Sequence, residues 1–170
     1  KRTIKDIPID RKTVLVRADY NVPLNKKGEI SDDLRIRASL PTISYLLKHS
    51  AKVVIMSHLG RPEGRDASQS LEPIAVRLSE LLQKPVIFVE DCIGDKVVQA
   101  VKKAPNGSII LLENLRYYPE EEANDEVFAE KIAKSTGARY FVQDGFGVVH
   151  RAHASTDAIT HFIPSVSGLL

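Results

Sequence analysis

The chain has 170 residues, which is enough for one sizeable domain and marginal for two. Its formal net charge of +2 is too small to favour nucleic acid as a partner, and no apolar run approaches the roughly 20 residues that cross a bilayer. A single cysteine excludes an internal disulfide and a cysteine-based zinc site, and the first residues lack the apolar stretch of a secretory signal.

Strand-like and helix-like segments alternate along the chain. Short apolar or β-branched runs predict strands, whereas apolar residues at helical spacing behind a capping residue predict helices. In chain order we expect strands at 13–17, 53–56, 86–89, 108–112 and 140–142, and helices at 34–48, from 70–73 to about 82, at 95–102 and at 125–135. Residues 155–161 are expected to form a short helix, and 166–170 to begin an element that the chain does not finish.

This alternation predicts an α/β fold with a parallel sheet covered on both faces, because the strands are continuous apolar runs. In the helix at 125–135, Val127, Phe128 and Ile132 should point inward, and Gly137 should be the C-cap. The loops at 19–31, 57–70 and 144–154 all follow strands, so they should lie at the same edge of the sheet.

Cationic side chains recur at or just after the carboxyl ends of the predicted strands. They are Arg17, His58, Arg116 and, after the fifth strand, His150, Arg151 and His153. Ligands of α/β proteins bind at the carboxyl ends of parallel strands. The recurrence therefore predicts one small, strongly anionic ligand at this edge.

The first loop carries a set of hydrogen-bonding residues. Arg17, Asp19 and Asn21 occupy alternate positions, so they would share one side if the strand continued that far. Arginine suits an anion and the other two suit hydroxyl groups, which together indicate a hydroxy-acid. A strand end followed by an Asp/Asn turn before Pro23 explains the same residues without a ligand, and both interpretations stand.

The segment from Ser57 to Pro62 comes directly after a strand. Within it, Gly60 allows close backbone approach to a ligand, and His58 and Arg61 can donate to phosphate or carboxylate oxygens. The alternative is a solvated loop with a structural histidine. Arg65, farther along the same loop, is interpreted as a solvated charge.

Three more arginines are weighed by their positions. Arg35 and Arg37 are about 200° apart around the axis of the first helix, so at most one of them reaches a common site with ease. Arg116 precedes the acidic run 120–122, which is expected to begin a helix or to be solvated. Arg116 could pair with that run instead of with a ligand.

The segment at 145–153 carries two glycines before the pattern His-Arg-x-His. It lacks the last glycine of a dinucleotide fingerprint and follows the fifth strand, so an oxyanion clamp fits it better. His150 and His153 have a spacing that a metal site could use, but no third ligand stands out.

No Ser-His-Asp or Cys-His set can be assembled. Phosphoryl transfer needs mainly positioning and charge stabilisation, which an arginine cluster can supply.

Five ordered motifs make the sequence resemble the phosphoglycerate kinase family. They are residues 13–23 (TVLVRADYNVP), 32–43 (DDLRIRASLPTI), 57–62 (SHLGRP), 112–117 (LENLRY) and 150–155 (HRAHAS). The resemblance implies that residues 1–170 form the N-terminal, phosphoglycerate-binding domain. That domain is a Rossmann-like parallel sheet of about six strands with helices on both faces.

The resemblance also implies the residues of the site. The basic patch of the family maps onto Arg17, Arg35, His58, Arg61, Arg116, His150, Arg151 and His153. Asp19 and Asn21 match the residues that contact the glycerate part, and Tyr20, Leu59 and Gly60 belong to the same substrate-binding segments. Of the two helical arginines, Arg35 matches the catalytic arginine of the family. The implied reaction moves a phosphoryl group between 1,3-bisphosphoglycerate and ADP, giving 3-phosphoglycerate and Mg-ATP.

Two departures from the family pattern concern a loop and the length. Where the family commonly reads DAFGTAH before the last motif, this chain reads DGFGVVH, which drops a hydroxyl group and keeps the basic residues. Family members have a second domain of similar size that binds the nucleotide and magnesium. We expect this chain to lack that C-terminal domain, to hold no cofactor of its own and to show almost no turnover alone.

The remaining expectations concern partners and alternatives. A monomer in the cytoplasm, with no nucleic-acid or membrane partner, is the expected state. One alternative function is a non-catalytic anion-binding or scaffold domain. The other is a complete phosphosugar enzyme in which His58 or His150 is the base.

Overall fold

A six-stranded parallel sheet forms the centre of the computed structural model, which describes residues 2–145 and 151–170. The strands are β1 (Thr13–Arg17), β2 (Lys52–Met56), β3 (Ile87–Val89), β4 (Ile109–Leu112), β5 (Tyr140–Gln143) and β6 (Ser165–Ser167). Their spatial order is β3-β4-β2-β1-β5-β6. The predicted α/β fold with about six strands is confirmed, and the five located strands differ from their predicted bounds by one residue at most.

Among the described residues, five α-helices connect or flank these strands. They are α1 (Leu34–Ala38), α2 (Leu40–Lys48), α3 (Glu72–Leu82), α4 (Asp95–Lys103) and α5 (Glu126–Thr136). Alternation along β1 sends Val14 and Val16 to the face that α1, α2 and α3 cover, and Leu15 to the face that α4 and α5 cover. Both faces are therefore buried, as the prediction required.

The single helix predicted at 34–48 is wrong, because the structure has two helices that meet at Ser39. The Ser39 hydroxyl donates to the carbonyl of Ile36 at 2.7 Å and closes α1. Pro41, in the first turn of α2, has no N–H with which to continue the hydrogen-bond ladder. The backbone at Ser39 stays near helical values, so the two helices follow one another closely.

Val127 was predicted to point inward and is 59% exposed instead. The buried stripe of α5 passes through Phe128, Ala129 and Ile132, and Val127 lies about 100° around the helix from Phe128. Gly137 does end α5, with a left-handed φ of 61°. At the carboxyl-terminal side, only Ala158–His161 of the short predicted helix is helical, as a 3₁₀ turn, while Ser165–Ser167 is the sixth strand.

The loops after β1, β2, β4 and β5 meet at one edge of the sheet, since all strands are parallel. β1 lies between β2 and β5, so the chain leaves the centre of the sheet in both directions. Such a reversal of strand order opens a crevice at the carboxyl ends of the strands. In the described part of the chain, no helix combines the length and apolar character needed to cross a membrane.

Candidate functional site

A cavity of about 260 Å³ lies among the loops at the carboxyl edge of the sheet. It is lined by four arginines, one carboxylate, one histidine and two further residues: Asp19, Asn21, Arg35, His58, Gly60, Arg61, Arg116 and Arg151. This volume is below the roughly 300–1,000 Å³ of pockets for drug-sized ligands. Its size and its excess of arginine indicate a compact and strongly anionic ligand.

Larger cavities elsewhere in the described chain offer much less positive charge. One of about 530 Å³ contains a single arginine, Arg2, and another of about 540 Å³ contains Lys26 and Lys27. Arginine presents a planar fork of donors that matches phosphate and carboxylate groups. The chemistry of the lining, and not the volume, therefore identifies the site.

The first loop divides its predicted site residues between two environments. Because β1 ends at Arg17, the alternation that would have placed Arg17 beside Asp19 and Asn21 does not continue. Arg17 and Tyr20 are fully buried and do not line the cavity, whereas Asp19 and Asn21 do. Arg17 instead follows the register of Leu15 toward the core covered by α4 and α5.

A chain of hydrogen bonds holds the second loop against its neighbours. The Gly60 amide donates to Asn21 Oδ1 at 2.9 Å, and Arg116 Nη1 donates to the Gly60 carbonyl at 3.1 Å. Leu59, which was also predicted to bind substrate, buries its side chain and does not line the cavity. Gly60 thus joins three loops through its backbone.

Sequence reasoning missed Asn114, whose side chain holds the loops after β2 and β4 together. Its Oδ1 accepts from the amides of Leu59 at 3.2 Å and Arg116 at 3.0 Å. Its Nδ2 donates to the carbonyls of Leu59 and Gln69 at 2.8 and 2.9 Å. A buried asparagine so close behind a strand signals a loop anchor, and that position after β4 could have indicated the role.

Replacing Gly60 with alanine is expected to destabilise the fold more than replacing Gly28 with alanine. Both glycines have positive φ, 65° and 79°, which costs a residue with a Cβ about 1–2 kcal/mol. A Cβ at Gly60 would in addition force the flexible carboxamide of Gln69 to turn away, which adds a smaller cost, while nothing lies within 4 Å of a Cβ at Gly28. Urea unfolding of both variants measures the difference, and equal losses would contradict this added cost.

Arg35 and Arg37 leave α1 in different directions, as their spacing predicted. Arg35 Nη1 donates to the Asn21 carbonyl at 2.7 Å and to Asp19 Oδ1 at 3.3 Å, at the cavity. Arg37 Nε donates to Asp33 Oδ1 at 2.9 Å, one turn back on the helix. The Arg35 side chain stays about half exposed, so it remains available to a ligand.

His58 reaches the cavity as a neutral ring. Arg17 Nη2 lies 2.7 Å from His58 Nδ1, and a guanidinium can only donate, so Nδ1 accepts and Nε2 carries the hydrogen. Burial, followed by the charges of Arg17 and Arg116, lowers the pKa of His58 to about 2. Such a ring is a weak base at neutral pH, which disfavours the phosphosugar enzyme that uses His58 as its base.

The stability of the fold is expected to fall as the pH drops below about 6.5, partly because of His58. The unfolded ring binds a proton near pH 6.5, whereas the folded ring resists it down to about 2. The unfolded state then holds the extra proton, and unfolding becomes easier by about 1.4 kcal/mol per pH unit, or about 2 kcal/mol at pH 5. Urea unfolding between pH 5 and 7.5 measures this slope.

His58→Asn should flatten that slope, because the amide oxygen can accept from Arg17 without titrating. Leu59→Ala is the control, since it removes buried surface without a titratable group and should lower stability equally at each pH. His153, whose pKa is also lowered by burial, should keep part of the slope in both variants. An unchanged slope in His58→Asn would contradict the assignment.

The acidic run was predicted to begin a helix or to be solvated, and for Glu121 this is wrong. Glu121 is fully buried, and its carboxylate accepts from the amide of Ser155 at 2.9 Å and from the Ser155 hydroxyl. Its Oε2 lies 4.0 Å from Arg17 Nη2, so the buried arginine has a buried counter-charge. Arg17, and not Arg116, is thus the cation that pairs with the run.

The last predicted segment is only partly described. Arg151 lines the cavity, and His153 is buried with no hydrogen-bond partner for its Nδ1 among the described residues. His150 lies outside the described residues.

Arg65 points away from the site, donating to the Glu90 carbonyl at 3.2 Å and stacking on Tyr117. Within 2–145 and 151–170, no group of three or more His, Cys, Asp or Glu residues is placed to hold a metal ion.

Comparison with known sequences gives one consistent family. A family model described as phosphoglycerate kinase matches residues 4–170. The phosphoglycerate kinase of Borrelia duttonii (strain Ly) is 54% identical over 170 residues, which make up 99% of this chain and 43% of that protein. The phosphoglycerate kinase of Dictyoglomus turgidum is 53% identical over 173 residues, covering 100% of this chain and 43% of that protein.

Solved structures give the same result for the fold. A crystal structure of phosphoglycerate kinase from Pyrococcus horikoshii OT3 matches with a TM-score of 0.90 at 34% identity, over 100% of this chain and 43% of that chain. The structure of phosphoglycerate kinase from Coxiella burnetii matches with a TM-score of 0.84 at 33% identity, over 97% of this chain and 40% of that chain. The chain therefore spans less than half the length of these relatives.

Proposed function

Because this chain belongs to the phosphoglycerate kinase family, we propose that its arginine-lined cavity binds the phosphoglycerate substrate, 3-phosphoglycerate or 1,3-bisphosphoglycerate. The observation that carries the proposal is the lining itself, with four arginines against one carboxylate in about 260 Å³. A phosphate and a carboxylate on one small carbon chain need such a lining. In the family reaction, the phosphoryl group then passes between the acyl phosphate and ADP.

Each lining residue receives a role from its position. Arg61, Arg116 and Arg151 are proposed to hold the phosphate and the carboxylate, since guanidinium groups pair with both. For the hydroxyl group of the glycerate we propose Asp19 and Asn21. Because Asn21 Oδ1 already accepts from Gly60, the donor that Asn21 offers is Nδ2.

Arg35 is proposed as the catalytic arginine, which stabilises charge on the transferring phosphoryl group. It lies beside Asp19, and its half-exposed guanidinium can follow a group that moves outward from the cavity. Three other residues of the basic and substrate-binding segments have no free path to the ligand. Arg17, Tyr20 and the side chain of Leu59 are buried, and we propose that they support the site from beneath.

The nucleotide and its magnesium ion do not fit this cavity. Magnesium prefers oxygen ligands such as carboxylates, whereas this lining is mainly cationic and contains one carboxylate. We propose that residues 1–170 are the phosphoglycerate-binding domain, and that Mg-ADP or Mg-ATP binds to a second domain of the enzyme. The share of about 43% of related proteins that the chain covers supports this division.

Titration with 3-phosphoglycerate, followed by NMR of backbone amides and arginine side chains, tests the proposal. Saturable shifts at millimolar ligand are expected for Arg61, Arg116 and Arg151. An absence of shifts at these residues would overturn it. Inorganic sulfate is the comparison ligand, and an equal response to sulfate would favour a general anion-binding or scaffold domain instead.

The 170-residue chain, mixed with 1,3-bisphosphoglycerate and Mg-ADP, is expected to form almost no ATP. The reason is that its cavity binds one substrate only and offers magnesium no cluster of oxygen ligands among the described residues. A coupled ATP assay measures the rate. Conversion of a phosphosugar by the same chain without nucleotide would support the alternative of a complete phosphosugar enzyme.

A further inference from the structure

A buried chain of four side chains runs beneath the cavity, on the α4–α5 side of the sheet. Its members are His58, Arg17, Ser155 and Glu121, and they come from four different loops or strand ends. Arg17 and Glu121 are fully buried, as is Ser155, while His58 alone both belongs to the chain and lines the cavity. The hydrogen bonds between these four side chains thus connect the cavity with a carboxylate that no ligand can reach.

The donors and acceptors of these four side chains determine the direction of every hydrogen bond between them. A guanidinium only donates, so Arg17 Nε donates to Ser155 Oγ at 2.8 Å and Nη2 donates to His58 Nδ1 at 2.7 Å. Ser155 Oγ has a single hydrogen, and Glu121 Oε2 accepts it. A serine that accepts from Arg17 therefore needs an acceptor such as a carboxylate on its other side.

The carboxylate is also needed because Arg17 carries its charge without water. An unpaired buried cation is costly, and Glu121 is the buried anion beside it, 4.0 Å away. The Ser155 amide and hydroxyl hold both oxygens of Glu121, so the counter-charge has a fixed position. The guanidinium, whose Nη1 also donates to the Ala18 carbonyl and to Ser57 Oγ, is oriented in part by this counter-charge, and so is the donor that faces His58 Nδ1.

We propose that Glu121 is a positioning residue for the substrate site, which acts through Ser155 and Arg17 to present His58 with Nε2–H as its donor. The other neutral tautomer would place two hydrogens against each other at Arg17 and leave Nε2 with a lone pair, which repels an anion. The inference rests on the proposed function, because it treats His58 as a group that meets the anionic substrate.

Nitrogen-15 NMR of the His58 ring, recorded without ligand, tests the first half of the proposal. The natural chain should show the Nε2–H tautomer alone. Ser155→Ala keeps both charges but interrupts the chain, and it should give a mixture of tautomers. Glu121→Gln should do the same if it folds, and Glu122→Gln, at the exposed neighbouring position, is the matched control that should leave the ring signals unchanged.

Binding of 3-phosphoglycerate tests the second half. Glu121→Gln and Arg17→Met should each weaken the affinity about tenfold, and the double variant should be no weaker than Arg17→Met alone, because Glu121 acts through Arg17. Fully multiplicative losses, or ring signals unchanged in both Ser155→Ala and Glu121→Gln, would overturn the proposal. Failure of the natural chain to bind 3-phosphoglycerate would instead reject the proposed function, while the tautomer result would still stand on its own.

Discussion

Glu121→Gln is expected to lower the free energy of unfolding by about 3–5 kcal/mol, the usual loss when one partner of a buried ion pair is removed. The large value follows from burial, since neither Arg17 nor Glu121 has any exposed side-chain surface. Glutamine keeps the shape of the side chain, removes the charge and replaces one accepting oxygen with an NH₂ donor. Urea unfolding of the natural chain and the variant, at neutral pH, measures the loss.

The same substitution at Glu122 is the control, because that exposed side chain should change stability by about 0.5 kcal/mol or less. Arg17→Met in the Glu121→Gln background gives a second comparison, since methionine fills the space without a charge. The two losses should be non-additive by about 1–3 kcal/mol. Simple additivity, or a loss at Glu121 no larger than that at Glu122, would show that the pair does not act as described.

Arg116→Met is expected to weaken binding of 3-phosphoglycerate by about 10- to 150-fold, which corresponds to the roughly 1.5–3 kcal/mol of a hydrogen bond to a charged group. The guanidinium is nearly buried at the cavity, and Nη1 already donates to Gly60. Nε is buried without a partner among the described residues, so protein acceptors do not use all the donors of this guanidinium. Isothermal titration or NMR titration gives the ratio of the two dissociation constants.

The affinity of Arg116→Lys should lie between those of the natural chain and Arg116→Met, because lysine keeps the charge and loses the planar fork. Arg65→Met is the matched control, as Arg65 stacks on the neighbouring Tyr117 and does not line the cavity. Its affinity should stay within about twofold of the natural chain, in line with the small effects of substitutions away from a site. Equal losses at Arg65 and Arg116 would point to loosely held anions and not to a defined subsite.

The sheet and the edge that carries the site could be predicted from the sequence, because buried parallel strands are continuous apolar runs. The cationic residues at or after the ends of β1, β2 and β4 could also be predicted, because these apolar runs locate the strand ends in the sequence. The environment of Arg17 was not, since it depends on where β1 ends and on residues that are distant in the chain. Arg17 and Ser155 are 138 residues apart, and no local pattern relates them.

Smaller errors have equally local physical causes. The break at Ser39 depends on one missing amide hydrogen at Pro41, which the apolar stripe of 34–48 does not register. Glu121 looked solvated because carboxylates are almost never fully buried unless they are paired. Asn114 was passed over since its four hydrogen bonds all go to backbone groups of other loops or of its own turn, which only the folded chain brings together.

The separation between Arg17 and its partners has a consequence for synthesis of the chain. At roughly 5–20 residues per second, the ribosome completes Ser155 about 7–30 s after Arg17, and Glu121 also comes late. Until then Arg17 must stay hydrated, since a buried guanidinium without its counter-charge is too costly. The last residue of β1 can therefore dock only after the region around 121–155 has been made. The support beneath the cavity is therefore completed only after both sides of this 138-residue separation have been translated.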